Sequence, residues 1–301
     1  GDASGTGYWS PSEERYRPEL LRLVDDARDW ESMVPEVLGP RSAAGEWPDA
    51  GALVGPGTGD NMAAALGLGL QPGEVALSLG TSATAFSVRD EPTADPSGAV
   101  AGFADATGRY LPLVCTMNAT KVTDAVARLL GVGRQRFDEL ALESPAGAGG
   151  LVLVPHLDGE RTPNRPEATG TLRGIRSDVT PAQLARAAVE GVVCNLLSGA
   201  DALGLPGASG RVLLIGGAAR STAFRHVVAD LTGRPVHVPA DDEPVARGAA
   251  VQAAAIVQGC DFAEVARRWG LGWGQVVDPD DTVDGAAVRA AYADAVEREG
   301  R

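Results

Sequence analysis

The sequence is poor in aromatic residues and in lysine. Aromatic residues make up 5% of the 301 residues, so the core must be built mainly from Ala, Val and Leu, with Gly at close contacts. Lys121 is the single lysine among 26 Lys and Arg residues, which leaves 25 arginines. The hydrophobic fraction of 44% and the charged fraction of 22% are those of an ordinary globular protein and not of a disordered one.

The chain also lacks an excess of positive charge, since its formal net charge is −14. A surface this acidic repels nucleic acid and anionic lipid, so we expect neither nucleic-acid binding nor membrane association. The acidity does not exclude a phosphorylated ligand, because backbone amides and Mg²⁺ can hold phosphates locally. No apolar run is long enough to span a bilayer, and we expect a soluble cytoplasmic protein.

Cysteines are few and scattered. Cys115, Cys194 and Cys260 form neither a CxxC pair nor a Cys/His cluster, and each lies in an apolar context. This pattern is typical of buried free thiols and predicts no metal-ligating residue.

The common nucleotide-binding signatures are missing as well. No glycine-rich run ends in Gly-Lys-Ser/Thr, and Gly55, Gly57 and Gly59 alternate without forming a GxGxxG fingerprint. Any phosphate site in this chain must therefore be built from backbone amides and hydroxyl groups.

Hydrophobic periodicity and turn residues predict strands that alternate with helices. In the last third, strands at 211–215 and 235–238 are each followed by a helix, at 221–231 and 243–257, which favours crossover units on a central sheet. The other predicted elements, in chain order, are a short helix at 17–29, a helix at 61–68, a hairpin of strands 74–79 and 83–88, a polar loop, a helix at 118–130, a buried strand at 151–154, the longest helix from Pro181 to about Leu203 after an N-cap at Thr180, and a C-terminal cap at 263–269 and 283–299.

Two glycine-containing turns could hold phosphate. In residues 80–82 (GTS) glycine lets a phosphate approach the backbone and the hydroxyls can donate to it, but the segment alone is more typical of an ordinary hairpin turn. In residues 216–218 (GGA), between a strand and a helix, a nucleotide could lie against bare backbone. Close strand–helix packing explains these glycines equally well.

Three further positions carry reactive side chains. Asp60 stands between Gly59 and a helix, where it is either an N-cap or a general base aimed into a cleft, and in isolation the cap is favoured. His156 has no Ser or Cys nucleophile in a matching motif, so we interpret it as structural. Glu160 and Arg161 form either a surface ion pair or part of an ordered loop near a cleft.

Taken in order, a series of segments resembles the FGGY carbohydrate kinases, and most closely the bacterial xylulokinases. The segments are residues 2–7 (DASGTG), 57–61 (GTGDN), 79–83 (LGTSA), 157–163 (LDGERTP), 186–191 (RAAVEG), 216–221 (GGAARS) and 243–250 (EPVARGAA). Each is weak alone, but their shared order across essentially the whole chain is specific.

The resemblance implies an α/β fold, an actin-like ATPase (ribonuclease H-like) domain with a mixed sheet flanked by helices. It implies transfer of the γ-phosphoryl group of Mg-ATP to the 5-hydroxyl of D-xylulose, with ATP and the sugar as partners; dimers are common among such proteins. By this resemblance Asp60 is the catalytic base and Asn61 contacts the sugar. The residues implied for the nucleotide are Gly80, Thr81 and Ser82 at the β- and γ-phosphates, and Gly216, Gly217, Ala218 and Ser221 at the adenosine.

The sequence departs from the family in one respect. The family's first phosphate motif and most of its sugar contacts belong to an amino-terminal domain that has no counterpart here. We therefore expect residues 1–50 to be the end of that domain with a linker, and residues 51–301 to be the nucleotide-binding domain. Two alternatives stay open: a kinase of the same family for glycerol, gluconate, ribulose or another polyol, and a non-catalytic ATP-binding module that regulates a partner.

Overall fold

A mixed sheet of seven strands is the framework of the computed structural model, which describes residues 1–204 and 210–299. In spatial order its strands are β13 (Gly274–Val277), β12 (Val236–Pro239), β11 (Val212–Ile215), β5 (Val75–Leu79), β6 (Ala83–Ser87), β8 (Tyr110–Thr116) and β7 (Ala101–Ala104). β11 is parallel to both β5 and β12, whereas β13 and β7 are antiparallel to their neighbours. The side chains of β11 are buried throughout, as expected of a parallel strand covered on both faces.

The chain divides into two units, each made of three stretches. The first unit comprises Gly1–Gly73, Ser87–Leu113 and Asp241–Trp273, and the second comprises Glu74–Phe86, Val114–Ala240 and Gly274–Arg301.

The second unit is organised around its longest helix. This helix, α6 (Pro181–Ala200), begins with a capping box in which the Thr180 hydroxyl accepts a hydrogen bond from the Gln183 amide at 3.2 Å. Helix α6 packs against α4 (Thr120–Leu130), α5 (Arg134–Glu143), α7 (Thr222–Thr232) and β9 (Val152–Val154). The remaining elements of this unit are β10 (Thr171–Arg173), which pairs with β9, and α10 (Gly285–Glu299).

The first unit contains a close pair of helices, α3 (Asp60–Gly67) and α8 (Pro244–Gln258). A Cβ atom on Gly67 would lie 1.9 Å from the Pro244 carbonyl oxygen, and one on Gly248 would lie 1.8 Å from the Ala63 carbonyl oxygen. Glycine is therefore required on both helices for this approach. The other elements are α1 (Asp2–Gly5), β1 (Trp9–Ser10), β2 (Arg15–Tyr16), α2 (Pro18–Arg22), β3 (Gly45–Trp47), β4 (Ala52–Val54) and α9 (Phe262–Trp269).

Most of the predicted elements are confirmed, with boundaries shifted by one or two residues. Strands β5, β11 and β12 and helices α6, α7 and α8 occur where the periodicity placed them, and β11, α7 and β12 form a parallel crossover unit. Among the helices described here, none is both long and apolar enough to cross a membrane.

Four predictions are wrong or incomplete. The helix predicted at 17–29 ends at Arg22, because Leu23 and Val24 are 83% and 61% exposed and have no surface to pack against. The polar loop before residue 118 contains β7 and β8, whose pairing depends on distant residues. Helix α5, strands β10 and β13 and the short strands β1 to β4 were not predicted. Only Cys194 of the three thiols is buried.

Candidate active site

The turn of residues 80–82 joins β5 to β6 at the end of a buried strand. Leu79, the last residue of β5, is 0% exposed, whereas Thr81 and Ser82 are exposed. The Gly80 amide donates a hydrogen bond to the Ser82 carbonyl oxygen at 2.9 Å, which closes the turn. The predicted phosphate segment thus presents two hydroxyl groups at the solvent-exposed end of a fixed strand.

The turn that begins at Gly216 follows β11, the parallel neighbour of β5. In the register of these two strands Ile215 pairs with Ser78, so both turns stand at the same edge of the sheet. Gly216 has φ +87° and ψ 179°, a combination that is essentially restricted to glycine. A Cβ atom there would lie 2.6 Å from the Leu79 carbonyl oxygen. The structure therefore brings the predicted phosphate and adenosine segments together. The turn at Gly216 approaches the end of β5 this closely because glycine has no Cβ atom.

A cavity of about 490 Å³ opens beside the second turn. Gly217, Ala218 and Ser221, three of the predicted nucleotide residues, form part of its wall. Helices α4, α5 and α7 supply the rest, through Thr120, Thr123, Asp124, Ala127, Arg134, Gln135, Phe137, Asp138 and Phe224, together with Arg220. The wall combines apolar and hydroxyl side chains, which is typical of small-molecule sites.

Ser221 lies in this wall and begins helix α7. Its hydroxyl oxygen accepts from the Phe224 amide at 3.1 Å, so it is the N-cap, and the hydroxyl donates to the carboxylate of Asp138 on α5. The same carboxylate accepts from the amides of Thr222 and Ala223 at 3.1 and 3.2 Å. Asp138 therefore fixes the orientation of Ser221 and accepts hydrogen bonds from two backbone amides at the start of α7. The helix dipole favours a negative charge at this end of a helix.

An ion pair stands at the same cavity. The Arg134 guanidinium donates to both oxygens of Asp124, at 3.1 and 3.0 Å, and this hydrogen bonding raises the pKa of Arg134. Among residues 1–204 and 210–299, no three His, Cys, Asp or Glu side chains come together in a way that could hold a metal ion.

Asp60 and Asn61 lie in the first unit, at the start of α3. The N-cap of this helix is Gly59, and Asp60 is its first residue, so the N-cap interpretation of Asp60 is wrong. The Asp60 side chain is exposed, and its Oδ1 atom accepts hydrogen bonds from the Asn61 amide and the Asn61 side chain at 2.7 and 2.9 Å. The rest of α3 is buried, from Met62 to Gly67. A fixed helix thus presents a carboxylate that a small molecule in solution can reach.

The loop of residues 157–163 is ordered and partly buried. Glu160 is 1% exposed, so the surface ion-pair interpretation is wrong for this residue. His156, which is 0% exposed, contacts Glu299 Oε2 at 3.0 Å through Nδ1 and Asn195 Oδ1 at 3.4 Å through Nε2. These contacts agree with a structural role for His156.

Sequence reasoning missed two carboxylates near the turns, Asp138 and Glu160. Asp138 lies on a helix that was not predicted, although Phe137, Leu140 and Ala141 give that helix a buried face at helical spacing. Glu160 was noticed in its motif, but three of its four hydrogen-bond donors come from Met117, Asn118 and Asn195, more than thirty residues away, so no local pattern reveals them.

The mixed seven-stranded sheet with its flanking helices defines an α/β domain of the actin-like ATPase class. The FGGY family of carbohydrate kinases, C-terminal domain, matches residues 75–256. The chain is 47% identical to the xylulose kinases of Streptomyces coelicolor and Streptomyces rubiginosus, over 92% of its own length in each case. The chain therefore belongs to the FGGY family of carbohydrate kinases.

The structural comparison agrees with this family assignment. The crystal structure of xylulose kinase from Bifidobacterium adolescentis matches 98% of the chain with a TM-score of 0.82 and 41% identity. The chain spans 57% of the length of the two Streptomyces proteins and 61% of the Bifidobacterium chain.

Proposed function

We propose that this chain carries the catalytic base and the nucleotide-binding half of a kinase that phosphorylates D-xylulose with Mg-ATP. The observation that carries the proposal is the meeting of two exposed turns, residues 80–82 and the turn from Gly216, at one edge of a buried parallel sheet. Relatives called xylulose kinase, at 47% identity over most of the chain, favour this sugar. The cytoplasm is the proposed location.

In the proposed reaction the substrate hydroxyl attacks the γ-phosphorus of ATP. A bond forms between the 5-oxygen of the sugar and phosphorus, the bond from phosphorus to the bridging oxygen of ADP breaks, and Asp60 accepts the hydroxyl proton. Asn61 holds the Asp60 carboxylate through two hydrogen bonds, and its proposed role is to contact the sugar. Thr81 and the amides of the 80–82 turn stabilise the charge that spreads over the transferred oxygens.

The adenosine is proposed to occupy the cavity beside α7. Gly216 and Gly217 offer backbone without side chains, Ala218 adds a small apolar contact, and Ser221 contributes a fixed hydroxyl. Magnesium enters as part of the substrate Mg-ATP, with its charge offset by the phosphates.

The first experiment measures ADP release from Mg-ATP with and without D-xylulose, and with glycerol, gluconate and ribulose as comparison substrates. Both the 301-residue chain and the product of the gene that encodes it are assayed. Release that depends on D-xylulose supports the proposal. Release that depends on another polyol favours the first alternative. ATP binding without sugar-dependent release in either protein favours a non-catalytic module.

Asp60→Asn tests the role of the base. We expect kcat to fall by about 10²- to 10⁴-fold, because the amide cannot accept the proton, while the affinity for ATP stays unchanged. Asp49→Asn makes the same change at an exposed carboxylate of the same unit and is the matched control. Sugar phosphorylation at the wild-type rate by folded Asp60→Asn protein would contradict the proposed base.

A further inference from the structure

Glu160 has a carboxylate that is buried and fully engaged. Its Oε1 atom accepts from the backbone amides of Met117 and Arg161 at 2.6 and 2.7 Å. Its Oε2 atom accepts from the side-chain amides of Asn118 and Asn195, both at 2.9 Å. Four donors on one carboxylate, at 1% exposure, form charge-assisted bonds that hold the segment at 117–118 in one place.

The residues that follow this segment bind the phosphate turn directly. The Ala119 amide donates to the Thr81 carbonyl oxygen at 3.2 Å, and the Thr120 amide donates to the Gly80 carbonyl oxygen at 2.9 Å. Both donors stand at the start of α4, immediately after Asn118. The position of the turn therefore depends on a segment that Glu160 holds.

These two bonds set the direction of the amides that the proposed function assigns to phosphate. In a planar trans peptide the carbonyl group of one residue and the N–H of the next point in opposite directions. Since the Gly80 and Thr81 carbonyls point to the start of α4, the N–H groups of Thr81 and Ser82 point away from it. A shift of the 117–120 segment would rotate these peptide planes, so the N–H groups of Thr81 and Ser82 would no longer point in their present directions.

We propose that Glu160 is a positioning residue for phosphate binding: it anchors residues 117–120, which orient the amides of Thr81 and Ser82 toward the β- and γ-phosphates. This inference rests on the proposed nucleotide site. Glu160 itself touches no nucleotide in this scheme, and of the anchored segment Thr120 alone belongs to the wall of the adenosine cavity. Loss of Glu160 should therefore weaken phosphate binding more than adenosine binding.

The experiment measures the binding of adenosine and of ADP with Mg²⁺ by isothermal titration calorimetry on the 301-residue chain. The variant is Glu160→Gln, in which an NH₂ group replaces one acceptor oxygen and faces two donors. We expect its affinity for ADP to fall by about tenfold or more, the equivalent of one charge-assisted hydrogen bond, with adenosine affinity within about twofold of wild type.

Glu190→Gln is the matched control. Glu190 is also a buried carboxylate, 4% exposed, and it bonds to Arg186 at 2.6 Å and to the Gly147 amide at 2.9 Å, away from the turn. This variant should lower stability while keeping the wild-type ratio of ADP to adenosine affinity. If the ratio of ADP to adenosine affinity falls in Glu160→Gln and not in Glu190→Gln, a general loss of stability does not explain the fall.

Four results would overturn the inference. A wild-type ratio in folded Glu160→Gln protein, or an equal fall of the ratio in Glu190→Gln, would show that Glu160 does not act on the phosphate turn. If Glu160→Gln does not fold, Asn118→Ala removes a single donor from the carboxylate, and an unchanged ratio there overturns the inference. Absence of any nucleotide binding by wild-type chain would remove the proposed function first and this inference with it.

Discussion

Replacing Gly216 by alanine should damage the junction between the two turns. Its backbone, at φ +87° and ψ 179°, is one that residues with a Cβ atom rarely adopt, at a cost of about 1–3 kcal/mol. The new Cβ would also stand 2.6 Å from the oxygen and 2.9 Å from the carbon of the Leu79 carbonyl group. Relief of that overlap requires the two strand ends to separate, which costs a further 1–3 kcal/mol or so. We expect the free energy of unfolding to fall by about 2–6 kcal/mol.

The adjacent Gly217 provides the control for this stability effect. A Cβ atom on Gly217 would meet nothing within 4 Å, and the residue begins a short 3₁₀ turn with a negative φ. Gly217→Ala should therefore be neutral or stabilising by up to about 1 kcal/mol, through the lower entropy of the unfolded chain.

The assay is urea denaturation of both variants, followed by far-ultraviolet circular dichroism. Tryptophan fluorescence alone would not suffice, because all the tryptophans lie in the first unit and Gly216 lies in the second. The tryptophans are Trp9, Trp30, Trp47, Trp269 and Trp273. Equal stability of the two alanine variants would refute the argument that the close approach of β5 and the Gly216 turn requires glycine.

Two further predictions concern the second unit. Asp138→Asn should lower the free energy of unfolding by about 1–2 kcal/mol, because one acceptor at the start of α7 is lost. The variant should also bind adenosine more weakly, because the Ser221 side chain is no longer held in place. An unchanged urea midpoint together with an unchanged adenosine affinity would contradict this prediction. Burial is the main cause that lowers the pKa of His237 below 6.5, and the positive charge of the nearby Arg211 lowers it further. The unfolded chain therefore binds a proton at this histidine more readily than the folded protein does. Stability should be complete above pH 6.5 and decline as pH falls through the lowered pKa, and thermal melts should show a smaller decline in His237→Gln.

Local patterns were sufficient for the elements that position the site. Apolar runs bounded by glycine predicted β5 and β11, and Thr180 followed by Pro181 predicted the start of α6, because strands buried on both faces and capped helices leave strong local signals. The helix predicted at 17–29 failed for the opposite reason. Its apolar spacing is helical, but Leu23 and Val24 have no partner surface, so the helix stops early.

The sequence by itself determined the order of the motifs and hence the family, together with Asp60, the 80–82 turn and the glycines at 216–217 as candidates. Only the tertiary structure decided that the two turns meet, since their contact joins residues more than a hundred positions apart. It likewise decided the parts played by Asp138 and Glu160, whose carboxylates bind distant backbone amides. Hydrogen bonds of that kind depend on packing and leave no periodic or local pattern in the chain.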